Sequence, residues 1–108
     1  MHSKQLLTLA EEALADVKAR EVHVMDVRKL TTVADYMVIA SGTSDRHVRS
    51  IADRLVEKAT HAGEPPFGVE GQEAGEWVLV DLQDVVVHIM QPRVRQHYKL
   101  ESLWDMGA

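Results

Sequence analysis

The segment Ser41-Gly42-Thr43-Ser44-Asp45-Arg46-His47 gathers hydroxyls, an acid, a base and an imidazole where a strand runs into a helix. Glycine and hydroxyls at such an entry can hold an anion on free amides at the positive end of the helix. The same residues also cap a helix: Thr43 or Ser44 accepts a bond from a first-turn amide, Asp45 complements the helix end, and Gly42 permits the turn. Capping is the commoner use of so short a motif. The six histidines raise metal binding next. His23 and His88 fall on alternating patterns that put them on one sheet face, yet no third ligand accompanies them and no pair has helical i, i+4 spacing around a Glu. Zero cysteines remove thiol nucleophiles, iron–sulfur clusters and thiolate zinc sites together. There is no Walker or dinucleotide glycine pattern and no nucleophile elbow. No catalytic residue, metal ligand or cofactor is therefore assigned.

The glycine-serine entry is similar to that of nucleotidyltransferases, which use paired carboxylates to hold metal ions on the transferred phosphate. Here Asp45 is followed by Arg46 and His47 instead of a second acid. A degenerate nucleotide-binding or nucleotidyl-transfer enzyme built on Gly42, Ser44 and Asp45 stands as the alternative to a protein without bond chemistry. A third reading is a homo-oligomeric scaffold.

The elements around that turn follow from periodicity. Leu6, Leu7, Ala10, Ala13, Leu14 and Val17 make one helical stripe, predicting a helix over about Ser3 to Ala19 with Ser3 as N-cap. The period changes to two over Glu21–Val27 and Asp35–Ser41, giving two strands. Val48, Ile51, Ala52, Leu55, Val56 and Ala59 restore helical spacing up to Gly63, a suitable C′ residue. Residues 64–75 form one loop, with Phe67 and Val69 as a brief extended pairing. Glu76–Leu82 and Val85–Met90 flank only Gln83-Asp84 and read as a tight antiparallel hairpin near the sheet centre. Pro92 opens a closing helical stretch with Val94, Tyr98, Leu100, Leu103 and Trp104 as apolar anchors. These elements make one α+β domain, a mixed sheet of four to five strands with helices, over residues 1–108.

Alternation in the hairpin separates two faces. Val78, Val80, Leu82, Val85, Val87 and Ile89 form a wholly apolar face under the helices. Trp77, Leu79 and Asp81, with Val86, His88 and Met90, form a mixed face that suits a surface wet part of the time. Three helices at most cannot cover both faces, so part of the mixed face is left for a partner. Trp77 has a competing use as a second-layer core residue under the carboxyl-terminal helix.

Size and charge bound the partner. A chain of 108 residues and 12.1 kDa, 45% apolar and 27% charged, is one domain with room for a modest core. Its net charge of −5 argues against gripping phosphates and favours a basic protein. The first residues show no signal-peptide pattern and no run long enough to span a bilayer, so the expected location is the cytoplasm.

Several stretches carry a family resemblance: residues 35–48 (DYMVIASGTSDRHV), Gly68-Val69-Glu70-Gly71, residues 76–82 (EWVLVDL), residues 84–91 (DVVVHIMQ) and residues 98–104 (YKLESLW). In this order the chain resembles the ribosomal silencing factor (RsfS) family, related to plant Iojap proteins. The resemblance implies a nucleotidyltransferase-like fold without the catalytic acids. It also implies binding to ribosomal protein L-fourteen of the large ribosomal subunit, blocking small-subunit joining and silencing translation when nutrients are scarce. Carried onto this sequence, it makes Trp77, Asp81, His88, Met90 and Tyr98 partner contacts, with Glu70, Leu79, Leu100 and Leu103 beside them. Trp77 and Tyr98 would anchor, and Asp81 and Glu70 would meet Arg or Lys of the partner. The apolar docking surface would also allow self-association when the ribosome is absent.

Overall fold

The computed structural model describes residues 1–104, with side chains through Ser102. Helix α1 (Ser3–Asp16) buries Leu6, Leu7, Leu9, Ala10, Ala13 and Leu14, the expected stripe. His2, not Ser3, occupies the N-cap, with its amide bonded to the Gln5 side chain at 3.2 Å. The helix also stops before Ala19. Lys18 adopts φ +58°, and the amides of Lys18 and Ala19 return to the carbonyls of Ala15 and Leu14 at 3.1 and 3.0 Å. This Schellman closure satisfies the last carbonyls and turns the chain into the strand that begins at Arg20.

The strands are β1 (Arg20–Asp26), β2 (Tyr36–Ser41), β3 (Gly68–Glu70), β4 (Trp77–Asp81) and β5 (Val85–Met90), with helix α2 (Asp45–His61) between β2 and β3. They form one sheet in the order β1-β2-β5-β4-β3. β2 and β5 pair in parallel at its centre, and every other neighbour is antiparallel. The parallel pair requires a crossover, and α2 supplies it. β3 confirms the brief pairing expected at Val69, which lies opposite Val80. The β4–β5 connection is the tight hairpin, closed by the Leu82 amide on the Val85 carbonyl at 3.0 Å.

Helices α1 and α2 cover one face of the sheet. Val38, Ala40, Val78, Val80, Val85, Val87 and Ile89 lie beneath them, packed with Leu14, Ile51 and Leu55 into the main core. Each of the valines, leucines and isoleucines among them contributes about 1.5–3 kcal/mol by leaving water. The opposite face is covered only in part. There Met25, Val27, Ala34, Met37, Ile39 and Met90 form a second, smaller cluster, against which Trp77, Val86, Val94 and Leu100 pack half-buried. The closing helical stretch is two helices, α3 (Pro92–Tyr98) and α4 (Leu100–Trp104), separated by Lys99 in the left-handed conformation. The side chains of Leu103 and Trp104 lie outside the described residues. Among the described residues no helix is long and apolar enough to cross a membrane.

Candidate functional site: the open face of the sheet

Register places the mixed-face residues in rows across the strands. Glu70, Leu79, His88, Ile39 and His23 stand opposite one another in a single row. Trp77 begins the next row beside Met90, and Asp81 with Val86 begins the row on the other side. Since directly opposite residues share a face, the incompletely covered end of this face is Glu70, Leu79, Trp77, His88, Val86 and Asp81, of which Glu70 is exposed and His88 buried. His23 and His88 do share it, but they stand two strands apart with Ile39 between them. Among the described residues no three His, Asp or Glu side chains group to hold a metal ion.

Trp77 is the hub. Its indole Nε1–H donates to His88 Nδ1 at 2.9 Å, and its ring lies 5.0 Å from Tyr98 at 49°. Because indole only donates, His88 accepts at Nδ1 and carries its proton on Nε2. Burial, with only 9% of the residue exposed, depresses the imidazole's pKa to about 4, so the ring is neutral around pH 7. His97 packs edge-on against Tyr98 at 4.9 Å, and Tyr98 itself remains 58% exposed. Two open hollows flank Trp77. One of about 310 Å³ is lined by Glu70, Gly71, Trp77, Leu79 and His88. The other, of about 380 Å³, is lined by residues of α3 together with Glu76 and Trp77.

Gly71 keeps this arrangement tight. It has φ +89°, and a Cβ there would stand 2.0 Å from the Trp77 carbonyl oxygen. Only glycine lets the β3–β4 loop pass so close to the start of β4.

The other predicted residues take different places. Met90 is 0% exposed, within the cluster on which Trp77, Val94 and Leu100 rest, so it supports the face from beneath and is not itself a contact surface. Alternation assigns its face correctly; the cover supplied by α3 is what alternation does not reveal. Leu100 is half-buried in the same place. Asp81 lies four residues from Trp77, about 13 Å along the strand, with one carboxylate oxygen taken by the Gln83 amide at 2.8 Å. Glu70 is exposed at the edge. Val86 lies on the face as alternation expects, and His97 joins it without having been singled out, through its place one residue before Tyr98.

The Ser41–His47 turn is a helix cap in which several of the donors have partners within the chain. Ser44 Oγ accepts from the His47 amide at 3.1 Å. The Thr43 amide donates to His47 Nδ1 at 2.9 Å, and His47 Nε2 lies 2.7 Å from the Val17 carbonyl, which ties the turn to the end of α1. Asp45 accepts from the Arg46 amide at 2.8 Å and pairs with Arg49 at 3.3 Å. A Cβ on Gly42 would come within 2.8 Å of Val48 Cγ2, so the glycine there serves close strand–helix packing.

The fold and the face define a small α+β protein whose distinguishing surface is an aromatic patch with acids at its margin, left only partly covered by its own helices. Residues 1–107 match the family described as ribosomal silencing factor during starvation, and the chain belongs to that family. It is 44% identical over 104 residues to the ribosomal silencing factor RsfS of Chromobacterium violaceum, spanning 96% of this chain and 85% of that one. It is 38% identical to the RsfS of Bacillus subtilis, spanning 96% and 88%. A crystal structure of a protein from Chromobacterium violaceum superposes with a TM-score of 0.95 at 44% identity, covering 96% of this chain and 87% of that one.

Proposed function

We propose that the protein represses translation in the cytoplasm by binding ribosomal protein L-fourteen on the large ribosomal subunit. Bound there, it obstructs joining of the small subunit and silences translation under nutrient limitation. The observation that carries this reading is the Trp77–Tyr98 pair on an incompletely covered sheet face, with Glu70 exposed beside it. Aromatic anchors in hollows, ringed by polar groups, are how protein interfaces concentrate binding energy. Trp77 and Tyr98 anchor, Leu79 and His88 floor the neighbouring hollow, and Glu70 and Asp81 meet basic side chains of the partner. Leu100 extends the surface at the start of α4, and Leu103 is a further contact that the family resemblance implies. The net charge of −5 suits a basic protein and disfavours rRNA phosphates. When the subunit is absent, a second copy covers the same face and the protein pairs with itself.

Co-sedimentation with separated ribosomal subunits at low and moderate salt tests the reading. The protein should pellet with the large subunit alone, and Trp77→Ala or Tyr98→Ala should each weaken binding by about 2 kcal/mol or more, roughly thirtyfold. Pelleting with neither subunit, or unchanged affinity of both folded variants, removes the proposal.

A further inference from the structure

Helix α3 carries Tyr98 to Trp77, yet it has only seven residues and none of them is fully buried. A helix so short does not hold itself in place, and the half-buried Val94 offers little apolar area. What fastens it is Arg95. Its Nη1 donates to the Ser41 hydroxyl at 2.9 Å and to the Glu21 carbonyl at 2.7 Å. Its Nε donates to Glu101 at 2.8 Å, and Nη2 lies 2.7 Å from the same carboxylate. One side chain thus joins α3 to α4 and to two strands of the sheet.

The receiving groups are built for it. Ser41 is buried at the end of β2. Glu21 lies in the register break between Arg20 and His23 and takes φ +49°, and Arg95 bonds its carbonyl within this break. A bulge that re-aims a backbone group toward a functional contact is a recurrent use of such breaks. The guanidinium is only 12% exposed, and its planar fork spreads four contacts from three nitrogens over three acceptors, more than the three N–H groups of an ammonium supply from one point. Neighbouring Arg93 is the contrast: it is 75% exposed and makes one loose pair with Glu76 at 3.8 Å.

We propose that Arg95 is the positioning residue of the docking face: it seats α3 so that Tyr98 stands preformed against Trp77. The structural half of this inference stands alone, and its consequence for binding rests on the docking reading above. A preformed pair avoids the cost of ordering two aromatic side chains during association, which is worth about tenfold in affinity.

The experiment follows the ¹⁵N-labelled tryptophan indole resonances of the full chain, with Trp77 identified by the loss of its signal in Trp77→Phe. Arg95→Met should move the Trp77 indole resonance in the direction that Tyr98→Ala moves it and speed amide exchange in α3. The β2 and β5 amides should stay protected, and large-subunit affinity should fall about tenfold. The double variant Arg95→Met with Tyr98→Ala should bind no worse than Tyr98→Ala alone, because Arg95 acts through Tyr98. If Arg95→Met unsettles the sheet, Ser41→Ala removes one tether and should move the indole resonance the same way by less. An unmoved Trp77 resonance in both variants, or losses that add in the double variant, would overturn the inference. If Trp77→Ala and Tyr98→Ala leave subunit binding intact, the docking reading fails instead, and the indole response still decides whether Arg95 positions the pair.

Discussion

Replacing His88 with Gln keeps an acceptor for the Trp77 indole and removes an imidazole whose pKa burial holds at about 4, against an ordinary value of 6.5. Between these two values the unfolded chain takes up a proton at His88 and the folded chain does not. Stability contributed by the neutral ring is therefore fully present above pH 6.5 and is lost as pH falls toward 4. At 1.36 kcal/mol per unit the ceiling is about 3 kcal/mol, and the part expressed between about pH 7 and about pH 4.5 is roughly 2 kcal/mol. Protonation also turns Nδ1 into a donor facing the indole N–H, so the bond that fixes Trp77 is lost with it. Urea unfolding followed by circular dichroism at both pH values measures the effect. The wild-type midpoint should fall by about 1–2 M more than that of His88→Gln. The Asp26 carboxyl, which Arg28 pulls down to about 2, titrates alike in both proteins and cancels from the comparison. Parallel losses in the two proteins would refute the argument, because they would mean that His88 protonates as readily folded as unfolded.

Two further outcomes follow from the backbone around the two turns. Ser44→Ala should cost about 1 kcal/mol of stability through loss of the bond to the His47 amide, measured by thermal unfolding; a neutral result would show that the cap does not hold α2. Gly71→Ala, which forces a Cβ toward the Trp77 carbonyl, should destabilise by about 2 kcal/mol or more and shift the near-ultraviolet dichroism of the indole. An unchanged spectrum would show that the β3–β4 loop yields without moving Trp77.

Much of the fold could be read from the chain because local pattern and final burial agree. The leucine stripe of α1 and the alternation Val78, Val80 against Trp77, Leu79 each report the face a residue shows to the core. Pairing partners are another matter. Nothing in β2 announces that its neighbour is β5, since parallel pairing is decided by which strands share the helices' cover and not by any turn signal. The same limit explains Met90: period two gives the face, whereas cover by α3 is a tertiary fact. Arg95 was silent for the same reason, as two of its three acceptors, Glu21 and Ser41, lie more than fifty residues away. The Ser41–His47 turn was legible as a cap, but the His47 bridge to Val17 depends on where α1 ends, and that end was set by a left-handed lysine where glycine is usual.

The parallel pairing at the sheet centre governs when this surface comes into being. Tyr36 meets Val85 and Ser41 meets Met90, so the two central strands are separated by almost half the chain. During synthesis β1 and β2 emerge early, yet they have no neighbour on their inner side until β5 has been made, and α1 and α2 have only half a sheet to rest on. Long loop closures of this kind fold late and as a unit. The aromatic pair comes later still, because Tyr98 follows β5 in the chain. The aromatic face is thus assembled only after β5 and α3 have been made, and a shorter nascent fragment has no such surface.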